Sequence, residues 1–221
     1  MSRLFHRSRF PLHQALRLLV LAVVLIELTA SGAPKNIILL IGDGMGPEQV
    51  KAAGMYATGI AGSLDFEGLP FKGVVTTYSA NNAVTDSAAA ATAIATGVKV
   101  NNYVISVADP GDLSELQTLL EYFRDRGKMT GLVTTTYATH ATPAAFGAHE
   151  RDRNSTTQIA GDYLNQTRPN VLLGGGANGL SVASAQAAGY TVVTDRTGLL
   201  GLDTEAATYV SGQFGSTFFP Y

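Results

Sequence analysis

The sequence predicts an α/β fold, with a mostly parallel central sheet covered by helices on both faces. Three observations predict it. Apolar, β-rich stretches alternate with stretches of helical periodicity, the pattern of repeated strand–helix–strand units. Residues 35–42 form an almost unbroken apolar run of the kind that parallel sheets bury on both sides. The 221 residues are 46% hydrophobic and include 24 glycines, while only 14% are charged, which suits one globular domain with a packed core and not a disordered chain.

The elements follow in order. Residues 35–42 read as a buried central strand, and the stretch from Pro47 to Tyr56 reads as a helix opened by proline. Residues 71–78, rich in Val and Thr, read as a strand. Residues 86–96 are alanine-rich and helical, stopped by Gly97. Over residues 112–126, Leu113, Leu116, Leu119, Leu120 and Phe123 share one face of an amphipathic helix that ends at Gly127. Residues 128–135 and 170–173 read as strands, 181–188 as a helix and 191–194 as a short strand. After Gly198 the periodicity is weak, and the aromatic residues of 214–221 read as core.

The first 33 residues have a different character. Arg3, His6, Arg7, Arg9 and Arg17 precede a nine-residue apolar run, Leu18 to Ile26, and then small residues near Ala30 and Ala33. This is a secretory signal-peptide pattern, assigned here to residues 1–30, and it predicts a secreted or periplasmic protein. The apolar run is far shorter than the roughly 20 residues a membrane span needs. Arg7 and Arg9 are not adjacent, which argues against a twin-arginine route. A net charge of −2 gives no basic footprint for nucleic acid. With no cysteine, thiolate metal sites and disulfides are excluded, so any metal would be held by oxygen and imidazole.

Three segments carry chemistry. Asp43 sits between Gly42 and Gly44 after the first apolar run. It reads either as a turn aspartate or as a carboxylate whose two oxygens bridge two cations. Ser87 opens the alanine-rich helix, where exposed amides favour negative charge. It reads as a helix cap, a part that Asp86 can equally play, or as a nucleophile; no histidine lies nearby in sequence, so activation by a metal is as open as activation by a histidine from elsewhere in the chain. In Thr139-His140-Ala141-Thr142-Pro143, an imidazole and a hydroxyl two residues apart share one side of an extended segment and suit a cation or its water shell; the segment reads equally as a loop with a capping Thr before Pro143. Arg153 reads either as a fork for phosphate or as a surface charge, whereas His149, Arg151 and Asp152 read as loop charges. Gly174-Gly175-Gly176 lacks the Lys-Ser/Thr of a phosphate loop.

Taken together, these segments resemble the alkaline phosphatase family. The run from Lys35 to Gly46 resembles its first metal-binding strand, Thr85 to Lys99 its nucleophile motif, and His140 to Ala145 with His149 and Arg153 its magnesium and phosphate segment. The resemblance runs from about Lys35 to the end of the chain. It implies a phosphomonoesterase that works through a phosphoserine, with two Zn2+ and one Mg2+, and that often pairs as a homodimer. Asp43 would bridge a zinc and the magnesium, Ser87 would attack phosphorus and bind a zinc, and Thr142 would ligate magnesium. His140 would stand at the magnesium shell, Arg153 would clamp the phosphate and Asp86 would position that arginine. The family's other ligands, a Glu, an Asp-x-x-x-His pair, an Asp-His pair and a late His, lie in its second half and are not found here. The resemblance thus covers the N-terminal part of such a catalytic domain, residues 31–221, and implies an inactive fragment when alone. A metal-dependent phosphodiesterase or sulfatase, and a non-catalytic product, stand as alternatives.

Overall fold

The computed structural model describes residues 35–219; the signal-peptide pattern lies outside them. The chain divides into two units, Met1–Gly42 and Asp43–Tyr221.

In the first unit, residues 35–42 form no strand and belong to no ladder among the described residues, and Ile38 and Leu40 are 86% and 89% exposed. The expected buried strand is therefore not formed. Residues 71–78 behave likewise, with Phe71 and Val74 fully exposed and no strand assigned. The physical reason is common to both. Strand propensity reflects how a side chain fits a half-buried pleated surface, so an apolar run without a paired neighbour has nothing to bury against.

The second unit contains a four-stranded sheet, β1 (Gly131–Tyr137), β2 (Val171–Gly175), β3 (Thr191–Val193) and β4 (Val210–Gln213), in the order β1-β2-β4-β3. Every pairing is parallel, as expected. Its helices are α1 (Pro47–Thr58), α2 (Ser87–Thr96), α3 (Leu119–Arg124), α4 (Ala141–Gly147), α5 (Thr156–Asp162), α6 (Val182–Ala187) and α7 (Arg196–Leu200). None of the helices among the described residues is long and apolar enough to cross a membrane.

Helix α3 is much shorter than its leucine periodicity suggests. Thr118 and Glu121 form a reciprocal capping box that starts the helix at Leu119. Before it, Asp112 accepts hydrogen bonds from the Ser114 amide and hydroxyl, Leu113 has φ +64°, and Val107 bridges Glu115, so residues 112–117 are not helical. Strand β4 was not legible in the sequence. Its residues Val210, Ser211, Gly212 and Gln213 are all buried because β2 and β3 flank them.

The main core gathers Ile105, Leu132, Ile159, Leu172, Leu180 and the fully buried Tyr163, whose hydroxyl donates to the Ala138 carbonyl at 3.0 Å. Gly174 is needed for close packing: a Cβ there would stand 2.8 Å from Thr134 Cγ2 and 3.0 Å from the Thr136 carbonyl. The triple glycine thus has a packing explanation.

Helices α2 and α4 pack on each other. Their buried residues are almost all small: Ala88, Ala89, Ala91 and Ala95 on one, Ala141, Ala144, Ala145 and Gly147 on the other. Small faces let the two backbones approach closely. Leucine at Ala144, which is 0% exposed, would force them apart. Ala144→Leu is expected to lower unfolding stability by about 1–3 kcal/mol, read as a lower urea midpoint at unchanged slope.

Candidate active site

The small faces of α2 and α4 bring the starts of the two helices together. Ser87 is the first residue of α2 and Thr142 the second of α4, and both hydroxyls reach one carboxylate. Ser87 Oγ donates to Asp43 Oδ1 at 3.0 Å, and Thr142 Oγ1 donates to Asp43 Oδ2 at 2.8 Å. Three residues separated by up to 99 positions therefore meet at one point. The nearby Gly44, at φ +68°, takes the left-handed turn that glycine adopts without strain.

Asp86 is the cap of α2, and Ser87 is not. Its Oδ1 accepts from the Ala89 amide at 3.0 Å, while its Oδ2 accepts from the Tyr103 amide at 3.1 Å and from Arg153 Nη1 at 3.0 Å. With the cap role taken by Asp86, the Ser87 hydroxyl is left for Asp43. The Asp86 and Arg153 side chains are 17% and 19% exposed, so their ion pair is screened less than a surface pair. Arg153 Nη2 lies 3.3 Å from His140 Nε2. A guanidinium can only donate, so Nε2 accepts and the ring is neutral, with its proton on the buried Nδ1, which has no partner among the described residues. Burial pushes the His140 imidazole below its ordinary range and the Arg153 charge adds to this, while Asp43 opposes. His140 is the N-cap of α4 and not part of an extended segment, and its ring meets Tyr137 and the exposed Phe218 edge-on at 5.1 and 6.0 Å. Phe218 is 66% exposed and is not core, in contrast to the expectation for the terminal aromatic residues.

The structure thus brings Asp43, Ser87 and Thr142 together, and Asp86, Arg153 and His140 in a second contiguous group. The donor set of the first is one carboxylate and two hydroxyls, hard oxygen ligands that suit one side of a magnesium or zinc shell. They cover only part of such a shell: among the described residues no three His, Cys, Asp or Glu converge on one point. Two site contributors had no signal in the sequence. The Tyr103 amide and the Asn102 side chain, whose Oδ1 accepts from the Asp86 amide at 3.2 Å, act from a loop with no motif.

Arg151 and Asp152 are exposed loop residues, as read from the sequence, but His149 is buried. Its Nε2 stands 3.3 Å from Glu121 Oε2, close enough for an ion pair though poorly aligned as a hydrogen bond. Its Nδ1 lies 2.9 Å from the Ser106 carbonyl. Burial pushes this imidazole down, but Glu121 and the Ser106 carbonyl outweigh it and hold it above its ordinary range. Burial likewise raises Glu121, yet His149 and the Thr118 hydrogen bonds bring it down to about 2. A raised imidazole stabilises the fold fully below its unfolded value of 6.5 and ceases to as pH climbs through the folded value. A lowered carboxylate stabilises above its unfolded value of 4.5 and ceases to as pH falls toward about 2. Burial raises Asp162 and Glu150, so these two act in the opposite sense and weaken the fold as pH rises through their own range. The pair is therefore expected to contribute most between 4.5 and 6.5, measured as the urea midpoint against pH, with His149→Gln flattening the alkaline limb.

Residues 34–221 match the family model described as alkaline phosphatase. The chain is similar to the streptomycin-6-phosphate phosphatase of Streptomyces griseus, at 40% identity covering 90% of this chain and 52% of that protein. It is similar in structure to a cold-active alkaline phosphatase from a psychrophilic Shewanella, with TM-score 0.71 and 36% identity over 82% of this chain and 46% of that one. A variant TAB5 alkaline phosphatase solved with Mg bound gives TM-score 0.72 at 28% identity, covering 85% and 54%. The chain spans about half the length of these relatives.

Proposed function

The chain belongs to the alkaline phosphatase family, and on that premise we propose that it supplies the nucleophile-bearing half of a metal-dependent phosphomonoesterase. The observation that carries this reading is the shared carboxylate: Asp43 holds the Ser87 and Thr142 hydroxyls at 3.0 and 2.8 Å, while Asp86 holds Arg153.

In this reading Ser87 Oγ attacks phosphorus as the alcohol leaves, and water later cleaves the resulting phosphoserine. Asp43 orients Oγ through its hydrogen bond. Arg153, fixed by Asp86, receives two phosphoryl oxygens on its fork and offsets the charge that spreads over them. Neutral His140 keeps the guanidinium turned and adds no competing positive charge. Asp43, Ser87 and Thr142, with His140 beside them, would hold part of the shells of two Zn2+ and one Mg2+. Such ions lower the pKa of a hydroxyl and screen phosphate charge. Residues 1–30 would direct export, and residues 31–221 would form the N-terminal part of the catalytic domain.

The 221-residue chain alone, supplied with zinc and magnesium, is expected to give no turnover of an aryl phosphate. An enzyme of the relatives' length that begins with this chain is expected to hydrolyse an aryl phosphate monoester faster than the matching diester. Equal or faster diester cleavage would sink the monoesterase assignment.

A further inference from the structure

We propose that His149 is a positioning residue: as an imidazolium it ties Ser106 to Glu121 and so fixes the paired backbone that presents Arg153. Nδ1 faces a carbonyl oxygen at 2.9 Å and Nε2 a carboxylate oxygen at 3.3 Å. Both neighbours are acceptors only, so a neutral ring satisfies one of them and a doubly protonated ring satisfies both.

Ser106 is a junction. It is held at φ +44°, a conformation that costs a non-glycine residue energy and needs surrounding contacts to persist. Its amide donates to Thr92 Oγ1 of α2 at 3.0 Å, and its hydroxyl donates to the Ala145 carbonyl of α4 at 2.6 Å. From Ser106 the chain runs back through a short antiparallel pairing. The Ile105 amide donates to the Glu150 carbonyl at 2.7 Å, the Glu150 amide to the Ile105 carbonyl at 2.9 Å, and the Arg153 amide to the Tyr103 carbonyl at 2.8 Å. At its far end the Tyr103 amide and Arg153 Nη1 donate to the same oxygen, Asp86 Oδ2, at 3.1 and 3.0 Å. His149 is thus at the root of the segment whose tip aims the guanidinium.

The surrounding charges favour the imidazolium. Glu121 faces it from α3, with Arg124 4.0 Å behind that carboxylate. Asp162 of α5 accepts the His149 amide at 2.9 Å, and Glu115 and Glu150 add further negative charge from the flanking loops. Acids outnumber bases here, which holds the imidazole above its ordinary range despite its burial.

The proposal rests on Arg153 being the phosphate-binding arginine, but its test needs no turnover. Nuclear magnetic resonance of the full chain would follow the His149 ring nitrogens, the Tyr103 and Arg153 amides and the Arg153 Nε–H against pH. The expected result is one common midpoint above 6.5, the ordinary imidazole value, for all of these signals. Glu121→Gln keeps an acceptor but removes the charge. It should lower that midpoint by about 1 unit or more, and the Arg153 signals should move with it. Arg153 signals that titrate independently of His149, or a midpoint unchanged in Glu121→Gln, would overturn the proposal. A chain whose Arg153 proves not to bind phosphate can still show the coupled titration, so the two failures are distinguishable.

Discussion

Alanine at Ser87 is expected to lower kcat for an aryl phosphate by at least about 10³-fold in an enzyme of the relatives' full length that begins with this chain. The fold should survive, because the cap of α2 belongs to Asp86 and the serine contributes a single hydrogen bond to Asp43. Circular dichroism and the melting temperature should therefore match the parent, which separates lost chemistry from lost structure. KM should change little, since Arg153 and its Asp86 partner remain. Mass spectrometry of acid-quenched enzyme should find phosphate on Ser87 in the parent and on no residue in the variant. Unaltered turnover in Ser87→Ala would refute the nucleophile assignment outright.

Glu121→Ala is expected to be the most damaging single change to stability, at about 3–5 kcal/mol. The carboxylate is 11% exposed, with Arg124 4.0 Å from its other oxygen. It accepts from the Thr118 amide at 3.0 Å and the Thr118 hydroxyl at 3.1 Å, and it faces His149. Removing it breaks the capping box of α3 and leaves a buried imidazole opposite a cavity. For a domain whose total stability is about 5–15 kcal/mol, that is a large share. Urea unfolding near pH 6 measures it. A loss under about 1 kcal/mol would mean that the pair is not a main support of the fold. Glu121→Gln, which still accepts a hydrogen bond, should lose less.

The candidate site was readable only in combination. Asp43, Ser87, Thr142 and Arg153 each have an ordinary reading as a turn, a cap or a loop charge, and they become candidates because their three segments together resemble one family. The parallel sheet class was readable from alternation, and β1 and β2 from their apolar runs. Strand β4 was not, because Ser211, Gly212 and Gln213 are buried by the neighbours they pair with and not by their own hydrophobicity. Residues 35–42 and 71–78 failed in the opposite direction, apolar in sequence yet exposed, since no local pattern reports whether a partner strand is present. His149 reads as a loop charge in the sequence for a related reason. Its carboxylate partner lies 28 positions earlier, on a helix whose true start is set by Thr118.

The order of the strands has a consequence for synthesis on the ribosome. Among the described residues strand β3 pairs only with β4, which follows it in sequence. A nascent polypeptide can zip β1 to β2 early, but the third strand waits without a neighbour until residue 213 has cleared the exit tunnel. Vectorial growth thus leaves half of this sheet unassembled until nearly all of these residues have emerged, an interval in which a chaperone has an open edge to guard.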